Sequence, residues 1–325
     1  MKKNCMKMIF MLMNIYYMNL LMINLLMIIM IMLSLAFLTL LERKLLGYIQ
    51  IRKGPNKVNF LGVFQPFSDA LKLFSKENFF MKNMNYMFYM FSPLLMLMLM
   101  LMIYLILPNK YNLYYLDLNL MLFLCLLSLG VYMIMISGWS SNSMYSMLGC
   151  IRSIAQTISY EVSLILIMMS NLIFIESFNL INLFNYQYYI SFIYYLYPLM
   201  LMFLVSLVAE LNRSPFDLAE GESELVSGFN TEYMSGMFAL IFMSEYGMII
   251  IMSYIFVMFY LGNLNYIMFF FIKVLLIMNL IIIFRGSFPR YRYDKLMILI
   301  WKSYLPVILN LMIYLYMIKW LILLN

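Results

Sequence analysis

Acidic side chains crowd into one short segment, and this crowding is the strongest chemical signal in the sequence. Half of the 14 carboxylates fall between positions 210 and 245. Where water is excluded, burial and neighbouring like charge both favour the protonated form of a carboxyl group, so such a cluster can share protons near neutral pH. The members are Glu210, Asp217, Glu220, Glu222, Glu224, Glu232 and Glu245.

The spacing of three of these carboxylates predicts a shared helix face. Asp217, Glu220 and Glu224 stand at i, i+3 and i+7, and Pro215 suits the first turn of a helix. The alternative is a solvated acidic loop that docks basic partner subunits. Glu161 and Glu245 differ from the rest because they interrupt apolar runs, where an ionisable residue indicates a path for protons or ions.

The composition excludes several kinds of redox site. The chain has no histidine and three widely spaced cysteines, Cys5, Cys125 and Cys150. These residues cannot assemble a four-cysteine iron–sulfur cluster, a zinc site or a histidine-ligated haem. No cofactor is therefore expected on this chain, and electron carriers would have to lie on a partner.

The elements that carry these carboxylates must lie in a bilayer. Hydrophobic residues make up 66% of the chain and charged residues 11%, whereas a soluble domain carries about a quarter charged residues. Crossing the hydrocarbon takes about 20 helical residues. We therefore predict an all-α, polytopic integral membrane protein in which residues 1–325 form a single membrane domain of about eight transmembrane helices. The spans lie near 8–41, 83–109, 118–137, 153–176, 177–209, 234–261, 263–284 and 303–324.

The basic residues assign the loops to sides of the membrane. Of the 21 Lys and Arg residues, 15 fall in the loops 42–82, 138–152, 210–233 and 285–302. The positive-inside rule places these loops in the cytoplasm or the mitochondrial matrix, with both termini on the opposite side. No secretory signal or transit peptide is evident. Lys273, inside a span, either pairs with a carboxylate or extends toward the interface.

Two loops have further features. In the first loop, Val63, Phe67, Ala70, Leu71 and Phe74 follow helical spacing while Asp69 and Lys72 fall opposite, which predicts an amphipathic helix in the membrane interface. This helix either rests on lipid head groups or frames an opening from the lipid. The fourth loop interleaves arginines with aromatics; we expect it to bind partner carboxylates or an anionic lipid such as cardiolipin, and not nucleic acid.

The loops resemble those of a known family. The motifs are ERKLLGYIQIRKGPN at 42–56, QPFSDALKLFSKE at 65–77, AQTISYE at 155–161, AELNRSPFDLAEGESELVSGFN at 209–230 and PRYRYD at 289–294. In this order they resemble the loops of the membrane subunit 1 family of NADH:ubiquinone oxidoreductase, respiratory complex I, of the mitochondrially encoded type. The resemblance covers essentially the whole chain.

The resemblance implies a function for these residues. In the family, the first helix, the sixth helix and the amphipathic helix frame the mouth of a tunnel for ubiquinone, the substrate. FMN and iron–sulfur clusters lie on partner subunits of the complex, and the chain spans the mitochondrial inner membrane with its termini in the intermembrane space. The positions matching the tunnel lining are Arg43, Arg52, Asp69, Arg213, Phe229 and Arg290. Those matching a proton relay are Glu161, Glu210, Asp217, Glu220, Glu222, Glu224 and Glu245.

Three other interpretations remain open from the residues alone. A secondary transporter has a similar helix count, but it usually carries broken helices at the midplane and an internal repeat, and neither is evident here. A passive membrane anchor explains docking loops but not Glu161 and Glu245. A membrane subunit of a hydrogenase-type complex would share some of the loops and differ in its partners.

Overall fold

The computed structural model describes residues 2–108, 116–219, 221, 225–262 and 267–324, with the backbone alone for residues 2–17, 267, 323 and 324. These parts of the chain form helices and turns and contain no strand. The all-α prediction is therefore confirmed.

The helices are α1 Lys2–Ile49, α2 Gln65–Ser75, α3 Tyr86–Ile106, α4 Asn119–Ser140, α5 Met144–Ile175, α6 Leu180–Tyr186, α7 Tyr197–Glu210, α8 Ser235–Phe256, α9 Ile267–Ser287, α10 Tyr293–Ile298 and α11 Leu305–Leu324. Two π-helical turns continue helices, Val257–Leu261 after α8 and Leu299–Tyr304 between α10 and α11.

The chain is polytopic, as predicted. Within the described residues, 7 helices are long and apolar enough to cross a membrane. The remaining predicted span, 177–209, is divided into α6 and α7, and α7 has only 14 residues. Its length of about 21 Å is less than the roughly 30 Å of hydrocarbon in a bilayer. The count of eight is thus reached only if this short helix is included.

Local hydrogen bonds explain why the span is divided. Glu176 ends α5 in a left-handed conformation, and the Asn179 side chain accepts a hydrogen bond from the Ile181 amide at the start of α6. Beyond α6, the Ile193 amide donates to the carbonyl of Tyr260 in α8's π-helical turn. Backbone groups that bond across helices cannot also continue a helix of their own, so the segment turns before α7 begins.

The core lies where α3, α4, α5, α7 and α8 pack together. α5 and α8 have the largest buried share, while α1 and α11 expose most of their surface. Close approach of α4 to α5 depends on Gly138, because a Cβ there would lie 2.3 Å from the Cβ of Cys150. The arrangement leaves α1 and α11 with surfaces suited to lipid.

The four loops meet on one side of the bundle, which we call the loop face. The Tyr291 amide donates to Pro215 O, Gly149 lies against Gly228, and Glu42 pairs with Arg285. These contacts join segments of 42–82, 138–152, 210–233 and 285–302. The packing therefore gathers the charged loops at one end of the helices.

Two lysines inside predicted spans have structural partners on the opposite side. Lys273 Nζ donates to Leu261 O at 2.9 Å and to Gly262 O at 3.4 Å, at the end of a helical segment where cations are favoured. Lys319 pairs with Glu176 and joins the last helix to α5. Of the two alternatives for Lys273, carboxylate pairing has no support among the described residues, and binding to helix-end carbonyls explains its position.

We predict that Gly138→Ala destabilises the protein while Gly130→Ala does not. Both glycines lie in α4, but a Cβ at Gly130 would have no atom within 4 Å. Overpacking at Gly138 should cost about 1–3 kcal/mol, whereas alanine at an open helical position is neutral or favourable. Thermal unfolding of the detergent-solubilised protein measures the difference. Equal midpoints for the two variants would contradict this account of α4–α5 packing.

Candidate functional site

A buried ionic cluster joins three of the four loops. Glu42, at the loop-face end of α1, is 3% exposed and pairs with Arg285 at the end of α9. Arg213 Nη1 lies 3.5 Å from the same carboxylate oxygen, and Arg213 Nη2 lies 4.0 Å from Glu245 in α8. The guanidinium of Arg213 also lies 4.6 Å from the ring centroid of Tyr246, within cation–π range.

A cavity of about 240 Å³ opens between α1, α2 and α8; we call it the portal cavity. Its wall is mostly apolar, with Ala36, Ala70 and Phe242 as examples. Its polar groups include Arg43 and Asp69, which form an ion pair between α1 and α2. The cavity can hold an elongated apolar molecule with a polar end.

The orientation of α2 differs in part from the sequence expectation. The amphipathic helix is present, and Phe67 packs edge-on against Phe37 of α1 with centroids 6.0 Å apart. Asp69 was expected on the polar face, but it turns toward α1 because Arg43 pairs with it. Of the residues predicted on the apolar face, Leu71 is 71% exposed, while Phe74 is 55% exposed and its ring lies against Gly236 of α8.

A second cavity of about 100 Å³ lies between α3, α4, α5, α7 and α8; we call it the carboxylate cavity. Glu210, the last residue of α7, and Glu245 of α8 both line it, together with Thr157, Asn212 and Ser244. Glu210 Oε2 is enclosed and has no hydrogen-bond partner in the described part of the chain. Two carboxylates beside hydroxyl and amide groups form a site that can hold water and protons.

Arg213 lines neither cavity but contacts one lining residue of each. Tyr246, which it covers, lines the portal cavity, and Glu245, its neighbour in sequence, lines the carboxylate cavity. Its charge therefore acts on both spaces through contacts of a few ångströms, where the surroundings screen little.

The helical turn predicted after Pro215 is wrong for the residues that the structure describes. Residues 213–219 form turns and bends, because their carbonyls bond elsewhere. The Gln156 side chain donates to Ala209 O and Phe216 O, and the Tyr291 amide donates to Pro215 O. Asp217 pairs with Arg290 at 3.3 Å. Glu220, Glu222 and Glu224 lie outside the described residues.

None of the remaining predicted site residues lines the portal cavity. Phe229 is buried and lines the carboxylate cavity, not the portal cavity. Glu161 of α5 is half-buried and close enough to Glu210 for their charges to interact. Arg52 is exposed on the loop face.

Sequence reasoning did not single out Glu42, Arg285 or Tyr246 as site residues. A signal was present in the sequence, since Glu42 follows the charge-free run 8–41 and Arg285 follows the predicted span 263–284. A buried charge at each of two span ends requires a partner of opposite sign. The pairing became evident only when the packing of α1, α8 and α9 was known.

Comparison with known proteins bears on what this site serves. A family model described as NADH dehydrogenase matches residues 22–316. The chain belongs to the NADH dehydrogenase family. This confirms the resemblance that the loop motifs carry.

The similar curated proteins share one name. NADH-ubiquinone oxidoreductase chain 1 of Aedes aegypti is 53% identical over 272 residues, which cover 84% of this chain and 87% of the relative. The protein of the same name from Anopheles quadrimaculatus is 56% identical with the same coverage. That of Locusta migratoria is 54% identical over 279 residues, again 84% and 87% of the two chains.

We predict that Glu42→Gln destabilises the protein strongly, because it leaves two guanidinium groups without their shared counter-charge. Removing one partner of a buried ion pair costs on the order of 3 kcal/mol. Asp294→Asn is the control, since Asp294 and its partner Arg292 are 70% and 79% exposed and such pairs contribute about 0–1 kcal/mol. The amount of chain in membranes and its thermal unfolding midpoint report the effect. If both variants behaved like the unaltered protein, the cluster would not be a structural centre.

Proposed function

We propose that this chain is a core membrane subunit of the proton-pumping NADH:ubiquinone oxidoreductase. It would form the access route for ubiquinone and a carboxylate relay that couples quinone reduction to proton translocation. Family membership and the shared name of the relatives support this role. The structural observation that carries it is the contact of Arg213 with Tyr246 of the portal cavity and with Glu245 of the carboxylate cavity.

The portal cavity is suited to ubiquinone. Its apolar wall fits an isoprenoid tail, and the pair of Arg43 and Asp69 offers hydrogen bonds to a polar head group. The three helices that bound it, α1, α2 and α8, correspond to the elements expected at the tunnel mouth. Arg52 and Arg290 stand nearer the loop face, where peripheral subunits would complete the tunnel. Phe229 lines the carboxylate cavity and not the portal cavity, so its predicted place in the tunnel gains no support from this cavity.

The carboxylate cavity is suited to moving protons. Reducing a quinone to a quinol takes up two electrons and two protons, and buried carboxyl groups can carry protons without histidine. Glu210 and Glu245 share the cavity, Glu161 interacts with Glu210, and Asp217 lies in the adjoining loop. Glu220, Glu222 and Glu224 belong to the relay in this proposal. A change of charge in the portal cavity would shift proton occupancy here through Arg213.

The surroundings of the chain follow from the same role. We assign it to the mitochondrial inner membrane, with the loop face toward the matrix and both termini in the intermembrane space. The loop face would dock the peripheral quinone-module subunits, and neighbouring membrane-arm subunits would pack on its sides. FMN and the iron–sulfur clusters would lie on those partners. A free-standing transporter or a passive anchor fits the family membership less well.

We predict that Ala70→Phe lowers ubiquinone reduction by blocking the portal cavity. Ala70 lines the cavity, whereas Leu71, next in the same helix, is 71% exposed, so Leu71→Phe adds bulk outside it. In the purified complex, the KM for a long-tailed quinone should rise several-fold in Ala70→Phe alone. NADH oxidation by ferricyanide, which tests the peripheral arm, should be unchanged in both variants. Equal quinone kinetics in the two variants would contradict the assignment of the portal cavity to ubiquinone access.

We predict that Glu210→Gln and Glu161→Gln each abolish quinone-driven proton pumping. Neutralising either position removes a proton carrier from the relay, while Glu77→Gln, at an exposed position of the first loop, should retain pumping. Proton uptake into vesicles containing the complex, measured with a pH-sensitive dye during NADH oxidation, tests this. Intact pumping with glutamine at both positions would show that the relay does not pass through them.

A further inference from the structure

A long apolar groove lies on the side of the bundle away from the portal cavity. Its walls are α7 and α9, which do not pack closely against each other, and α8's π-helical turn contributes to its floor. Its volume is about 670 Å³. It runs from Ile193 and Leu261, on the side opposite the loops, to Pro215 and Tyr291 at the loop face, so it follows α7 over its whole length.

The lining of the groove suits a hydrocarbon chain. It contains no charged residue, and its only polar side-chain groups are the hydroxyls of Tyr291 and Tyr304 at the loop-face end. Leu204, Leu280 and Phe284 of the lining are half-buried, so the groove is open at the surface that faces the bilayer.

The loop-face end of the groove has the residues of an interfacial head-group site. Tyr291 and Tyr304 line this end, and Arg292 and Lys302 lie within two residues of them in sequence and are exposed. Exposed Trp301 lies beside Lys302. Tyrosine and tryptophan favour the membrane interface, and basic side chains there attract anionic lipids.

We propose that this groove binds an anionic phospholipid, with an acyl chain lying between α7 and α9 and the phosphate near Arg292 and Lys302. The short α7 supports this assignment, because a 14-residue helix leaves hydrocarbon uncovered and a lipid held against it fills that space. The lipid site does not depend on the quinone and proton assignments. The groove shares no lining residue with the portal cavity or the carboxylate cavity.

The test is photolabelling of the purified complex. The probes are phosphatidylglycerol and phosphatidylcholine, each carrying a photoreactive group on the acyl chain, in otherwise identical vesicles. We expect label on peptides covering 193–208 and 277–284, stronger for phosphatidylglycerol. Arg292→Gln and Lys302→Gln should each reduce that preference by about fivefold, the interaction expected of one basic residue near an anionic surface. Labelling by phosphatidylcholine should not change in these variants.

A matched pair in α9 tests the groove itself. Leu280 lines it, whereas Leu276, one turn earlier, does not line it and is 61% exposed. Leu280→Trp should remove most of the label from 193–208, and Leu276→Trp should leave it unchanged. Equal labelling in the two variants would overturn the site.

Two further outcomes would contradict the proposal. If neither lipid labelled the groove and Leu280 cross-linked to a partner polypeptide, the groove would be assigned to a protein helix instead. Equal labelling by both lipids would remove the anionic preference and with it the proposal.

Discussion

A carboxylate held between two guanidinium groups, away from water, determines how the loop face of this protein is organised. Glu42, Arg213 and Arg285 come from segments separated by about 170 and 70 residues, yet they share one ionic cluster. A buried charge without its partner costs several kcal/mol, so α1, the segment after α7, and α9 must meet at this point. The cluster also contacts both cavities' linings, since Arg213 touches Tyr246 of the portal cavity and Glu245 of the carboxylate cavity.

The helix α8 borders both the portal cavity and the carboxylate cavity. α8 turns Tyr246 toward the portal cavity and Glu245 toward the carboxylate cavity, because adjacent residues on a helix point about 100° apart. The portal cavity opens beside an exposed amphipathic helix, where an apolar molecule can enter from lipid. The carboxylate cavity is smaller, and its wall is also mostly apolar but includes two carboxyl groups beside hydroxyl and amide groups. Two adjacent residues of one helix thus face different cavities, and Arg213 contacts both residues.

The sequence was a good guide to the elements and a partial guide to the site. Long apolar runs predict spans because hydrocarbon tolerates no unpaired backbone groups, and the helices agree with that rule except in 177–209. That run has no charge to mark its break, which depends on a bond from Ile193 to Tyr260. The non-helical course after Arg213 likewise depends on Gln156 and Tyr291, distant residues whose contacts leave no local pattern. Carboxylate crowding did identify Glu210 and Glu245, which share a cavity.

The position of Arg213 has a thermodynamic consequence. If an occupant of the portal cavity changes the proton affinity of the carboxylate cavity by some factor, protonation must change the affinity for that occupant by the same factor, since coupling free energies are reciprocal. At equilibrium, occupancy of the portal cavity and protonation of the carboxylate cavity would then each change the other. During turnover, the supply of electrons would determine that quinone reduction drives proton movement and not the reverse. The structure of the protein would not set this direction.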